Sequence, residues 1–204
     1  MKLLLIRHGE TALNVARVLQ PAATKLSERG IAQAEALARR LAPMGVRAIV
    51  SSDLPRAWRT AEAIAASTGA PLEACALLQE RNFGDWRGRP YDALTIDPLA
   101  MADAPPGGES AAVFAQRVAA AFAHVVQRQA ALGGVLAVVT HGLVLRALLD
   151  AHLRLGAGMA APAQLGNTSL SIVDARAPHR VELLNCTLHL EGDARDDARA
   201  LSGG

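Results

Sequence analysis

The chain has 204 residues, 51% hydrophobic and 3% aromatic, and its 21 basic and 19 acidic side chains leave a formal charge of +2. A chain of this length and apolar content can bury a large core, and with no long run of either charge sign a nucleic-acid surface is not indicated. Arg7 cuts the first apolar run short of a signal-peptide core, and Thr140, His141 and Arg146 break the second, from Val135 to Leu149, so a cytoplasmic protein with no membrane partner is expected. Cys75 and Cys186 lie far apart in apolar stretches and are expected to be small buried hydrophobes.

In chain order, Leu3 to Ile6 reads as a short buried strand that ends in Arg7, His8 and Gly9. Thr11 to Leu19 forms a short helix or turn, with Asn14 within reach of the strand end, and Pro21 marks a loop from Gln20 to Lys25. An amphipathic helix follows, capped by Ser27, with Ile31, Ala34, Leu37, Ala38 and Leu41 on its apolar face, and Pro43 and Gly45 stop it. Arg47 to Ser51 is the second strand. The next helix starts at Pro55 under a Ser52 or Asp53 cap, which brings Arg56 to a strand end, and runs to about Ser67. Pro71 to Leu78 carries a weaker strand signal, and four prolines make Arg89 to Gly108 a loop with at most one short helix. Glu109 to Leu132 is the longest helix, Val135 to Val139 a strand that runs into Thr140, His141 and Gly142, and Leu143 to Leu153 a helix. Asn167 to Asp174 and Arg180 to Leu188 read as two further strands, and the polar tail from residue 192 is expected to be disordered. The alternation predicts one α/β domain over residues 1–191, a three-layer α/β/α sandwich with a mostly parallel central sheet.

Two strands thus end in His-Gly, and ligands of open α/β sheets sit beyond the carboxyl ends of the strands. Arg7, His8, Arg56 and His141 would form one cationic cluster there. Guanidinium groups and helix N-termini suit phosphate oxygens, and an unprotonated imidazole among them can attack phosphorus. A carboxylic acid is still required to protonate the leaving alcohol. Glu80 is the best placed, with Glu10 and Asp53 as weaker candidates. His124, His152, His179 and His189 show no ligand spacing, so no metal is expected.

Leu5 to Thr11, Ser51 to Ala57, Glu80 and Thr140 to Gly142, in that order, resemble the histidine phosphatase superfamily in its phosphoglycerate mutase-like branch. The resemblance covers about residues 1 to 190. It implies that His8 accepts the phosphoryl group, that Arg7, Arg56 and His141 bind it, and that Glu80 is general acid and base. Asn14, Thr11 and Gly142 become substrate-binding residues, and no metal or other cofactor is implied. Mutases of this branch carry a longer insertion after the acidic residue than residues 81–106 provide, which favours a phosphatase. Phe83 to Gly88 and Pro106 to Ser110 look like the α-ribazole phosphatase and broad-specificity members, which makes α-ribazole 5'-phosphate a candidate among small phosphorylated metabolites. The alternatives are a mutase of the same chemistry and a non-catalytic phosphate-binding protein, and the partner is the small substrate, on a monomer or a homodimer. Gln20 to Lys25 departs from the family pattern, and Lys25 would add charge to the rim. Phe83 and Trp86 either pack this loop or touch substrate.

Overall fold

A computed structural model describes residues 1–190. The expected disorder of residues 192–204 lies outside the described residues. Six strands form one mixed sheet: β1 (Lys2–Arg7), β2 (Val46–Ser51), β3 (Leu72–Ala74), β4 (Val135–Thr140), β5 (Leu170–Asp174) and β6 (Val181–Cys186), in the order β3-β2-β4-β1-β5-β6. The pairs β3–β2, β2–β4 and β4–β1 are parallel, whereas β1–β5 and β5–β6 are antiparallel. The helices are α1 (Ala12–Val15), α2 (Glu28–Leu41), α3 (Pro55–Thr68), α4 (Ala111–Leu132) and α5 (Gly142–Ala151).

Alternate side chains of the central strands serve two layers, as the period of two in a strand requires. Leu4, Ile6, Ile49, Ala137 and Val139 pack with Leu37 and Leu41 of α2 and with Ala57, Ala61 and Ile64 of α3. Leu3, Leu5, Val50, Leu136 and Val138 face Phe114, Val118, Phe122 and Val125 of α4 and Val144, Leu145 and Leu148 of α5. Leu37, Leu41 and Ile64 are fully buried, each burial stabilising the fold by about 1.5–3 kcal/mol. The result is the expected three-layer sandwich with a mostly parallel sheet.

Several local expectations change. Ile31 is 36% exposed and points away from the core face that Ala34, Leu37 and Ala38 occupy. Neither Ser52 nor Asp53 is the cap residue of α3. Leu54 holds that position with no side-chain bond, while the Ser52 hydroxyl accepts the Leu54 N–H two residues on, in a local turn. The third strand shrinks to Leu72–Ala74, because the chain after it turns into a 3-10 helix over Ala76–Leu78. Cys186 is only half-buried, with its Sγ 3.2 Å from Nη2 of Arg40, so it is not a plain core residue. Phe83 is buried with Leu19 and Tyr91, and Trp86 packs against them, so both aromatics hold the loop to the core.

Close backbone contact fixes the loop after β1 against the start of α2. A Cβ on Gly30 would lie 2.0 Å from the carbonyl oxygen of Glu10, and one on Gly9 would lie 2.5 Å from that of Gly30. Both positions need glycine for the approach itself. Gly30→Ala is expected to cost about 1–3 kcal/mol through forced backbone shifts, read as a lower urea midpoint with an unchanged m value; an unchanged midpoint would show that the contact yields freely.

Candidate active site

The carboxyl ends of β1, β2 and β4 are adjacent. Arg7 pairs with Thr140 and Ser51 with Val139, and the ladders continue one step further, where His8 N–H donates to Thr140 O at 3.0 Å and Ser52 N–H to Val139 O at 2.9 Å. This register brings the His8 and His141 rings to 5.1 Å between centroids, tilted by 59°. Arg56 joins them from the first turn of α3, where Pro55 opens the helix. Arg7, His8, Arg56 and His141 are each at most 2% exposed. Thr60 ties the parts together: its hydroxyl accepts Gly9 N–H at 3.0 Å and donates to Arg56 O at 2.8 Å.

His8 has a defined tautomer. Its Nδ1 lies 2.7 Å from the carbonyl oxygen of Gly9, and since a carbonyl only accepts, Nδ1 carries the proton and Nε2 the lone pair. Nε2 is buried with no partner in the described chain. Burial holds the His8 pKa well below that of an ordinary histidine, and the charges of Arg56 and Arg7 lower it further. His141 is kept neutral by the same burial and by the same cations. Its Nε2 meets the Ser52 hydroxyl at 2.8 Å. With the Ser52 hydroxyl donating to Nε2, the neutral imidazole carries its proton on Nδ1, an atom with no partner among the described residues. Arg56 Nε and Nη1 are likewise without hydrogen-bond partners, and burial, with repulsion from Arg7 and Arg87, brings the Arg56 pKa down to about 10 against the attraction of Glu80. Arg7 donates Nη1 to Leu165 O. An anion placed among these groups would gain charge-assisted hydrogen bonds that the chain itself does not make.

The three candidate carboxylates separate cleanly. Glu10 is buried but turns to the start of α2, accepting from the Ser27 hydroxyl at 3.0 Å and pairing with Arg29 at 3.2 Å. Asp53 is exposed and accepts from Gln79 Nε2 at 2.7 Å. Glu80 is buried; its Oε1 accepts Arg81 N–H at 3.0 Å and its Oε2 accepts Leu143 N–H at 3.1 Å, in the first turn of α5. Burial raises its pKa, outweighing those two N–H groups and the attraction of Arg56 and Arg7, which lower it. A carboxyl drawn both ways in this manner can give up a proton and take one back.

The remaining expected residues are placed as follows. Gly142 opens α5 beside His141. Thr11 and Asn14 form a reciprocal capping box on α1, and the Thr11 hydroxyl also donates to Gln20. Asn14 Oδ1 accepts from the Thr11 N–H and from Asn167 Nδ2. Lys25 is exposed beside Asp53 and Trp58 rather than in the cationic cluster, and Arg59 pairs with Glu62 at 3.4 Å. Sequence reading missed Asn167, which donates Nδ2 to His8 O at 3.1 Å and so steadies the turn after β1. A lone asparagine ahead of a strand carries no signal of that role. It also missed the half-buried Arg87, whose charge is felt at Arg56. Among the described residues, no three His, Cys, Asp or Glu side chains are placed to hold a metal, and no helix is long and apolar enough to cross a membrane.

If the imidazoles are neutral for these reasons, ¹⁵N-histidine spectra should show His8 with a protonated Nδ1 and an unprotonated Nε2, unchanged down to well below the ordinary histidine pKa of about 6.5. Because the folded pKa values are depressed, the two rings contribute stability that is present above about pH 6.5 and is lost as pH falls below it. Titration of either ring near pH 6.5 would overturn the account.

The profile of the histidine phosphatase superfamily (branch 1) matches residues 3–187. A Yersinia pestis protein named "Probable phosphoglycerate mutase GpmB" is 33% identical over 213 residues, spanning 97% of this chain and 98% of that one. The mycobacterial glucosyl-3-phosphoglycerate phosphatase Rv2419c superposes with a TM-score of 0.76 at 32% identity, covering 91% of this chain and 98% of its own. A chain from Escherichia coli K-12, provisionally named an alpha-ribazole-5'-P phosphatase, gives a TM-score of 0.76 at 29% identity over 92% of this chain and 97% of its own. The chain belongs to the histidine phosphatase superfamily, branch 1.

Proposed function

We propose that the protein is a metal-independent phosphomonoesterase that works through a phosphohistidine on His8. The observation that carries this reading is the fixed His8 tautomer, with Nδ1 bound to the Gly9 carbonyl and Nε2 bare beside Arg56 and His141. Nε2 attacks phosphorus and the P–O bond to the leaving alcohol breaks. Arg7, Arg56 and His141 spread the charge on the three equatorial oxygens, and Glu80 gives its proton to the departing oxygen. In the second half-reaction the Glu80 carboxylate takes a proton from water, the resulting hydroxide displaces His8 from phosphorus, and phosphate leaves. The substrate is a small phosphorylated metabolite. The likeness of Phe83 to Gly88 and Pro106 to Ser110 to α-ribazole phosphatases, together with the provisional name of the similar Escherichia coli chain, supports α-ribazole 5'-phosphate as the first compound to try.

A second reading is favoured by the curated relative named as a mutase: the phosphoryl group on His8 would return to another hydroxyl of the substrate instead of water. Only 26 residues, 81–106, follow Glu80 before Gly107, and the shortness of this segment supports hydrolysis.

Phosphate release from a panel of phosphomonoesters in EDTA tests the proposal. Turnover should survive the chelator, fall by at least ~10³-fold in His8→Ala, and fall by ~10²–10⁴-fold in Glu80→Gln with an alkyl phosphate. The kcat/KM profile should need neutral His8 and protonated Glu80. Its acid limb then lies below about pH 6.5, and its basic limb lies above the ordinary glutamate value because Glu80 is raised. Absence of release from every ester would overturn the phosphatase. Isomerisation of a phosphoglycerate, primed by a bisphosphorylated one and faster than phosphate release, would establish the mutase instead.

A further inference from the structure

We propose that Arg117 and Glu109 form a clamp that positions the Glu80 carboxyl for proton transfer, a role that rests on the assignment of Glu80 made above. The segment that carries Glu80 leaves the sheet after Cys75, whose N–H makes its last ladder bond, to Ser51 O at 2.8 Å. From there the chain crosses to the crevice with no strand beside it, so its carbonyls need other partners. Arg117, two turns along α4 from its start, takes three of them: Nη1 donates to Leu77 O at 2.9 Å and to Gln79 O at 2.7 Å, and Nη2 donates to Glu80 O at 3.3 Å. The fourth, Leu78 O, accepts from the Thr140 hydroxyl at 2.7 Å, one residue before His141.

The guanidinium is itself fixed. Nε meets Glu109 Oε1 at 2.8 Å and Nη2 meets Oε2 at 2.7 Å, a bidentate pair, and the Phe114 ring lies 5.2 Å beneath. Both side chains of the pair are 17% exposed. Glu109 also secures the far side of Glu80: its Oε2 accepts Asn82 N–H at 2.9 Å, its own N–H donates to Asn82 O at 2.8 Å, and its carbonyl accepts from Arg81 Nε at 3.3 Å. The backbone on either side of Glu80 is therefore bound to α4 and its lead-in rather than to the sheet. The hydrogen bonds of both clamp residues go to the Glu80 segment and its neighbours, so each acts on the reaction through Glu80, and the Arg117 charge is in addition felt at His141. A network of this kind sets position as a unit, and a displacement of about 1 Å at a proton-transferring group can cost ~10²-fold in rate.

Leaving-group chemistry separates positioning of an acid from general support. An alkoxide needs the proton of Glu80 to depart, whereas p-nitrophenolate leaves without one. The pre-steady-state burst of alcohol or phenol reports phosphorylation of His8 alone, and is measured for an alkyl phosphate and for p-nitrophenyl phosphate with the wild type and with Arg117→Gln, Glu109→Gln, Glu80→Gln and Glu80→Gln/Arg117→Gln. Arg117→Gln should slow the alkyl burst by ~10²-fold with the p-nitrophenyl burst and both KM values within ~3-fold of the wild type. Glu109→Gln, a smaller change that keeps an acceptor, should follow in the same direction by ~10-fold, and it decides the matter if Arg117→Gln does not fold. The double variant should be no slower on the alkyl ester than Glu80→Gln alone. Equal slowing of both esters, or losses that add to that of Glu80→Gln, would overturn the clamp while the phosphatase stands. A wild type that releases neither alcohol nor phenol would overturn the phosphatase and the clamp with it.

Discussion

Positive charge buried beyond the carboxyl ends of β1 and β2 is the constraint to which the surrounding structure answers. Arg7 and Arg56 are each almost fully buried, next to two imidazoles, and a charge withdrawn from water is costly unless it is paired or hydrogen-bonded. The chain meets part of that cost with the Leu165 carbonyl on Arg7 and with the nearby Glu80. It leaves Arg56 Nε and Nη1 without partners. The first turns of α3 and α5 open on the same crevice, and their dipoles add to its positive potential. Such a site favours an anion and disfavours a third cation, so both histidines stay neutral and one is left with a free lone pair.

Glu80 stands at the balance point of this field. The two N–H groups on its oxygens and the neighbouring guanidinium groups favour the carboxylate, while burial favours the neutral acid and prevails. A carboxyl drawn so strongly both ways suits the proposed reaction, which needs an acid in one half and a base in the other. Its placement comes from backbone. The Glu80 segment is held by side chains from α4 and by Thr140, so the carboxyl is tied to the helix layer and to the strand that leads into His141.

Much of this was legible in the chain. The run from Leu3 to Ile6 and that from Val135 to Val139 read as strands because each is a short, continuously apolar stretch closed by polar residues, and their endings in His8 and His141 placed two imidazoles at one edge of a sheet. Arg56 was found because a proline at the start of a helix locates that start well. The residues alone rank Glu80 ahead of Glu10 and Asp53, but by a narrow margin. All three follow strand signals at similar distances, and what separates them is the company each keeps in space: Ser27 and Arg29 for Glu10, Gln79 for Asp53, two helix-end and loop N–H groups for Glu80.

The sequence by itself determined the alternation of elements, most of the residues that line the core, Ile31 excepted, and the identity of the cationic cluster, because these depend on local periodicity and on which residues end a strand. Only the tertiary structure decided how the site is held. The contacts of Asn167 with His8, Thr60 with Gly9, and Arg117 with the Glu80 segment join residues 159, 51 and 37 positions apart. No local pattern reports such contacts, since each rests on hydrogen bonds whose partners are chosen by where the sheet and its helices have brought the backbone.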